Sequence, residues 1–410
     1  MIWTPNLRGD DAQARATRYV LGMVKLFAAF IAAPLLALTL SVAAPVQARA
    51  QASQPTSWDH VARVVVIGDL HGEYDKFHDQ LSQAGLIDAK DHWSGGTTHL
   101  VQLGDVPDRA PDTRKILDLL IKLEPQAKRA GGYVHALIGN HEAMNMEGDL
   151  RYTTPGEFAA FVDRDSAGRR DTYYKAVIAA IKAHPPATGL PDFNGMYREQ
   201  FETEHPLGWV EHQIAWSASG VYGKWVLTHD AMIRIDDTLY LHGGIGPEFM
   251  AWDMDTLDKA VIAALRHQPE VAGDSARPGP HDILWNEQGP LWYRGMAQND
   301  EAAESANVMA ALAHFGVKRI VLGHTKRYSM VNSRFDGAVV LTDIATPEGC
   351  PDPHGFLIKE GDMLTAAHRG HRVALRTTGD GHTAYLADIA ALDQNATPGK
   401  PFEARCAVVN

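Results

Sequence analysis

From residue 62 onward, apolar positions cluster into short β-branched runs separated by amphipathic stretches, and the runs repeatedly end on polar residues. Residues 63–68 (RVVVIG) are apolar throughout after the arginine, the pattern of a strand buried on both faces. The run stops at Asp69-Leu70-His71-Gly72, and a helical stretch begins at Glu73. Residues 99–103 repeat the run and end in Gly104-Asp105. Residues 113–123 then place Ile116, Leu117, Leu120 and Leu123 on one helical face. A third run, 133–138, ends in Gly139-Asn140-His141-Glu142. Strand, polar turn and helix thus alternate three times. The pattern predicts an α/β fold with a βαβαβ core and polar residues at the carboxyl ends of its strands.

The rhythm breaks over residues 147–237, which are rich in Tyr, Trp, Arg and Asp and read as a mainly helical inserted cap. The core resumes with a strand at 238–241 ending in His242-Gly243-Gly244. A helix at 301–315 and a strand at 319–322, ending in Gly323-His324-Thr325, follow. Short β-runs at 338–344, 356–359, 363–367 and 372–375 predict a second, antiparallel sheet packed on the first. The expected organisation is a linker at 51–61, one two-sheet sandwich domain flanked by helices at 62–375 with the cap at 147–237 inserted, and a C-terminal segment at 376–410.

The N-terminus adds a targeting expectation. Residues 26–44 carry no charge, Lys25 precedes them, and Ala48-Arg49-Ala50 follows as a small-x-small cleavage site. This is the signature of a signal peptide over residues 1–50. Met23 competes with Met1 as the start, because Met23-Val24-Lys25 makes the more compact basic region. An uncleaved anchor is the alternative, since the uncharged run nearly spans a bilayer; Pro34 and the Ala-rich tail favour cleavage. Cleavage implies a periplasmic or secreted protein with no stable membrane anchor. In such a compartment Cys350 and Cys406 can pair or remain apart. Neither sits in the Cys/His arrangement of a nucleophile. The net charge of -12, with no basic stripe, argues against nucleic acid as a partner.

The strand-end residues carry the chemistry. Asp, His and Asn offer hard oxygen and borderline nitrogen ligands, suited to manganese, iron or zinc. Adjacent glycines let the backbone turn sharply and a substrate approach. An isolated histidine, such as His212, His229, His281, His314 or His368, is ordinarily a packed or surface residue. Five strand-end pieces in order are not coincidence. Gly68-Asp69-Leu70-His71-Gly72, Gly104-Asp105-Val106-Pro107-Asp108-Arg109, Gly139-Asn140-His141-Glu142, His242-Gly243-Gly244 and Gly323-His324 resemble the calcineurin-like metallophosphoesterases, over residues 62–345. They are most similar to the phosphoprotein phosphatase branch. The proline of Asp105-Val106-Pro107-Asp108-Arg109, the long insert and Leu291-Trp292-Tyr293-Arg294-Gly295 resemble the bacterial-type Shewanella-like phosphatases.

The resemblance implies a two-sheet metallophosphoesterase sandwich holding two divalent or trivalent metal ions, manganese first, with iron or zinc as alternatives. Asp69 and His71 would hold the first ion and Asp105 would bridge both; Asn140, His242 and His324 would complete the second. His141 would be the general acid, oriented by Asp108, and Arg109 and Arg294 would bind phosphate oxygens. The implied reaction is hydrolysis of a phosphomonoester by a metal-bridged water, the substrate being a phosphorylated protein or a small phosphoester. Ala110 stands where eukaryotic relatives carry glycine, and residues 345–349 replace their Ser-Ala-Pro-Asn-Tyr loop, so protein docking would differ. A nucleotide or dinucleoside-polyphosphate hydrolase and a non-catalytic exported metal binder are the rival readings. The aromatics of the insert, Tyr152 and Trp209 among them, could stack on a phosphotyrosine-like leaving group or form the insert's own core.

Overall fold

The computed structural model describes residues 56–266, 283–344 and 352–395. The expectations placed on the signal peptide, Met23, residues 345–349, His281, Cys350 and Cys406 lie outside the described residues.

β1 (Ser57–Trp58) leads into β2 (Val64–Ile67), all of whose side chains are buried. Burial on both faces explains why the β2 sequence shows no polar alternation. β3 (His99–Gln102) and β4 (Tyr133–Ala136) join it in parallel, Val64 opposite His99 and His99 opposite Tyr133. The crossovers are the helices α1 (Tyr74–Gln83) and α2 (Thr113–Arg129). α1 buries Phe77 and Leu81; α2 buries Ile116, Leu117, Leu120 and Leu123, the stripe expected from sequence. α2 continues beyond that stripe through Pro125 to Arg129, and buried Ala127 extends its apolar face. A short helix, α3 (Asn140–Glu147), starts straight after the β4 turn and is stopped by Gly148 at φ 78°.

The described residues divide into two compact units. Phe158–Lys224 forms the smaller. Its helices α4 (Ser166–Ala183), α5 (Gly195–Glu204) and α6 (Trp209–Trp216) enclose an aromatic interior. Tyr173 stacks on Trp209 at 5.1 Å and Phe201 on His205 at 4.2 Å. Residues 147–157 and 225–237 group with the larger unit.

In the larger unit β5 (Met232–Ile235) and β6 (Thr238–Leu241) make a hairpin, and β7 (Arg319–Leu322) pairs with β6 in parallel. α7 (Met254–Arg266) and α8 (Glu301–Phe315) intervene. β8 (Asn332–Arg334) and β9 (Val339–Leu341) complete a sheet of order β1-β5-β6-β7-β9-β8. The remaining strands, β10 (Phe356–Glu360), β11 (Met363–His368) and β12 (His371–Ala374), precede a final helix, α9 (Gly379–Asn395).

These C-terminal strands do not make a sheet of their own, contrary to the expectation from their alternation. β10 pairs antiparallel with β2, Leu357 opposite Val66, giving the order β12-β11-β10-β2-β3-β4. The run at 338–344 instead supplies β9, between β7 and β8. Alternation identifies a strand but not its partner, which long-range burial selects. Val66 and Val101 of one sheet and Ile233, Tyr240, Val321 and Val340 of the other share one buried core. Each such side chain contributes roughly 1.5–3 kcal/mol over leaving it exposed. Among the described residues no helix is long and apolar enough to cross a membrane.

Candidate active site

Asp69 and His71 follow β2, Asp105 follows β3, Asn140 follows β4, His242 follows β6 and His324 follows β7. All six are buried, Asp69 the most exposed at 7%. The turns that present them are tight. His71, Asp105 and His324 have φ of 46°, 58° and 62°, a region that non-glycine residues rarely adopt and that surrounding structure must impose. Gly104, at φ 89°, is required outright: a Cβ there would lie 2.5 Å from the Gly139 nitrogen.

The side chains form two overlapping groups that could hold a cation, His71–Asp105–His141 and Asp105–His242–His324. Asp105 belongs to both. The donor geometry fits metal ions. His71 Nδ1 donates to the Pro107 carbonyl at 3.1 Å, leaving Nε2 buried and without a hydrogen-bond partner. That lone pair lies 3.6 Å from Asp69 Oδ2 and 3.9 Å from Asp105 Oδ2. His242 Nδ1 donates to Leu103 O at 2.7 Å, which turns Nε2 toward Asn140 Oδ1 (2.9 Å) and Asp105 Oδ1 (3.2 Å). Three acceptor atoms facing one another need a proton or a cation between them. His324 Nε2 is likewise buried and unpartnered, its ring 4.7 Å from that of His242. A buried polar atom without a partner costs about 1–3 kcal/mol, a cost that ligation removes. Ring nitrogens that donate to backbone carbonyls are how ligating histidines are oriented.

The electrostatics agree. Burial drives His71 down to about 4. Burial, with the charges of His242 and Arg294, holds His324 well below its ordinary range. Both rings are therefore neutral, as ligands must be. Burial opposes the charge of Asp105, but His242 and His141 override it and hold the carboxyl well below its usual range. Burial also opposes protonation of His242, and Asp105 overrides it, carrying the ring up to about 9. A cation at this position competes for the same lone pair. Asp69 Oδ1 accepts the His324 N–H at 2.8 Å, joining the two sheets at the site.

His141 opens α3 beside this cluster, its Nε2 3.8 Å from Asp105 Oδ2 and 3.3 Å from Arg109 Nη2. Its Nδ1 meets Asp108 Oδ2 at 2.5 Å. Burial lowers the affinity of His141 for a proton, yet Asp105 and Asp108 reverse this and raise its pKa. Arg294 lies by the second group, half-buried, donating through Nη1 to His324 O (2.9 Å) and Thr325 Oγ1 (3.2 Å). Arg109 and Arg294 thus both reach the cluster.

Asn145, Thr153, Glu157 and Asp343 escaped sequence reasoning, whereas Asp108 was expected beside His141. Asp108, fully buried, accepts from Asn145 Nδ2 at 3.1 Å and Thr153 Oγ1 at 2.8 Å, and its N–H donates to Glu157 Oε1 at 2.9 Å. Glu157 also takes the Thr113 hydroxyl and the Thr154 N–H. Asn145 lies four residues after His141, one helical turn on, and Thr154-Pro155-Gly156-Glu157 has the spacing of a capping box. Both signals were present but pointed only to a helix. Glu142 accepts N–H bonds from Asp105, Val106 and Gly139 at 2.7–2.9 Å, and burial with the Asp105 charge pushes it up to about 7. Asp343, buried among the strands, feels burial and Asp69, which keep its pKa well above the usual range.

Most insert aromatics have a packing role. Phe158, Phe161, Tyr173, Tyr174, Phe201, Trp209, Trp216 and Tyr222 are at most 9% exposed within the smaller unit or at its end. The histidines set aside as ordinary find other partners: His229 faces Glu124, His368 binds Asp393, His314 binds Trp252 O, and His212 packs against Phe158 and Phe161.

Comparison with known proteins places this geometry. Residues 62–328 match the family model described as calcineurin-like phosphoesterase. The chain is 30% identical over 309 residues to Shewanella-like protein phosphatase 2 of Arabidopsis thaliana, covering 72% of this chain and 74% of that one. It is 22% identical over 273 residues to Shewanella-like protein phosphatase 1 of Plasmodium berghei, covering 65% and 62%. Among solved structures, the cold-active protein-tyrosine phosphatase of a psychrophilic Shewanella superposes with a TM-score of 0.58 at 26% identity, covering 79% of this chain and 83% of that one.

Proposed function

The chain belongs to the calcineurin-like phosphoesterases and is a metal-dependent phosphatase, and from that premise we propose that it is an exported phosphomonoesterase acting on phosphoproteins, with a preference for phosphotyrosine. The observation that carries the phosphatase chemistry is the His141–Asp108 pair standing against two cation-competent groups that share Asp105. In this reading Asp69, His71, Asp105, Asn140, His242 and His324 hold two ions, manganese first, with iron or zinc as alternatives. The two unpartnered ring nitrogens support that assignment. The bound ions supply charge that neutralises the phosphate and lowers the pKa of an attacking water.

The chain's own residues do the rest. Arg109 and Arg294 bind phosphate oxygens, for which the guanidinium fork is suited. His141, kept protonated by Asp105 and Asp108, gives its proton to the departing oxygen. Asn145 and Thr153 hold Asp108, and Asp108 holds the ring of His141. A non-catalytic metal binder has no use for this acid side.

The tyrosine preference is supported by the solved Shewanella relative, which is named a protein-tyrosine phosphatase. The test is kcat/KM of the mature protein with manganese on matched phosphotyrosine and phosphoserine peptides. Turnover should vanish with EDTA and favour phosphotyrosine. A ratio near one, or one favouring phosphoserine, removes the tyrosine preference and leaves a general phosphatase. For export, N-terminal sequencing of protein from the periplasm of a Gram-negative host should find a start near Gln51. Finding residues 26–44 intact would instead support an anchored protein.

A further inference from the structure

We propose that Tyr152 is the platform on which an aryl leaving group stacks, and that it sets the preference for aryl over alkyl phosphates; this rests on the phosphotyrosine reading above. The proton that completes phosphoester cleavage comes from His141, so the leaving group must emerge beside that ring. The Tyr152 ring is there. Its centroid lies 5.2 Å from that of His141, tilted by 40°. The Arg109 guanidinium carbon lies 5.7 Å from the same centroid. Tyr152 is nonetheless 44% exposed, and so retains surface for a ligand.

Its position is held by backbone and neighbours, independently of its own side chain. The Tyr152 carbonyl accepts the Arg109 N–H at 3.0 Å, and the next residue, Thr153, donates to Asp108 at 2.8 Å. The backbone that carries the ring is therefore tied to Arg109 on one side and to the acid's partner on the other. Aromatic pairs favour centroid separations of roughly 4.5–7 Å, so a ligand ring beside His141 falls within stacking range of Tyr152.

The other site aromatic, Trp292, is differently employed. It stands edge-on to His324 (5.8 Å, 89°), stacks on Trp285 at 5.7 Å, and donates its N–H to Leu284 O at 2.7 Å. Its ring contacts are thus with His324 and Trp285. The aromatics of the smaller unit are packed against one another. Among the exposed large apolar side chains of the described residues in the larger unit, Tyr152 alone has a ring contact with a site residue.

A phenolic leaving group has a π-face to offer this ring, and a serine or threonine leaving group has none. The contact is worth about 0.5–1.5 kcal/mol, or about two- to tenfold. The experiment compares metal-loaded wild type, Tyr152→Ala, Tyr152→Leu and Tyr152→Phe on matched phosphotyrosine and phosphoserine peptides. Inhibition by phenylphosphonate relative to methylphosphonate is measured alongside. In Tyr152→Ala and Tyr152→Leu the phosphotyrosine to phosphoserine ratio of kcat/KM should fall about two- to tenfold, and the phenylphosphonate advantage with it. Tyr152→Phe should retain both. Ratios unchanged in Tyr152→Ala and Tyr152→Leu, against a wild type that does prefer phosphotyrosine, overturn the platform while leaving the tyrosine reading intact. A wild-type ratio near one overturns both. Equal losses on the two peptides assign Tyr152 to supporting Arg109 and overturn its role in specificity.

Discussion

Two groups of buried histidines, one within β3 and β4 and one past the carboxyl ends of β2, β4, β6 and β7, behave in opposite ways. On β3 and β4, before their carboxyl ends, His99 Nδ1 meets His135 Nε2 at 3.0 Å. Trp58 and Tyr133 pack on His135 at 4.3 and 4.5 Å. Burial drives His99 down to about 4 and His135 well below its ordinary range. Among the described residues neither ring has a carboxylate within ion-pair reach, and the two simply satisfy each other as aromatic core. Past the carboxyl ends, His71, His141, His242 and His324 surround Asp69 and Asp105, and two ring nitrogens are left without partners. Burial pushes a histidine toward the neutral form in both places, and only in the second do carboxylates reverse it, at His141 and His242. A buried anion is what turns such a cluster into a site for cations.

The sharpest way to break this contrast is to remove the anion. Asp105→Asn is expected to lose bound metal and essentially all phosphatase activity, read by elemental analysis and by kcat. Two retained ions with normal kcat would show that the carboxylate is not what separates the clusters. A smaller effect is expected at His141, where the carboxylates serve a proton. His141→Asn should lower kcat by roughly 10²–10⁴-fold. The loss should be less severe on p-nitrophenyl phosphate, whose leaving group needs little protonation, than on a phosphoserine peptide. Equal losses on both would count against His141 as donor.

The smallest effect is expected at the His99–His135 pair, which has no carboxylate within ion-pair reach among the described residues. His99 is a base whose folded pKa, about 4, lies below its ordinary 6.5, so the unfolded chain takes up the proton first as pH falls. Its contribution to stability is complete above that ordinary value and is lost as pH falls through the interval toward the folded value. His99→Gln should therefore flatten the acid limb of a plot of Tm against pH. Identical slopes in wild type and variant would mean that His99 does not titrate differently in the two states.

The ligand set was legible because each piece is local: a β-branched run, a glycine, and a polar side chain within a few residues. Asp105 and Asn140 needed no knowledge of the rest of the fold to be singled out. Their companions did. Asp108 depends on Asn145, Thr153 and Glu157, whose relation to it comes from how the 149–157 loop returns to the β3 turn. Nothing at those positions differs from ordinary helix and capping chemistry. Sheet membership was equally invisible for β10: its apolar run suits any neighbour, and Val66 is chosen only when the core closes. The insert aromatics stayed ambiguous for a related reason, since an aromatic that lines a cleft and one that fills a small core have the same one-dimensional signature. Tyr152 is distinguished from Trp209 by its exposure and by its ring contact with His141.

The hydrogen bond from His324 to Asp69 joins residues 255 positions apart. Asp69, His71, Asp105 and Asn140 come early in the chain, whereas His242 and His324 arrive only with the second sheet. During synthesis the early ligands have no complete pocket to offer. Ions are therefore captured by the finished fold, and by mass action they draw the equilibrium toward it. The metal supply that decides which ions the chain carries is therefore that of the compartment where its folding ends, whichever compartment that is.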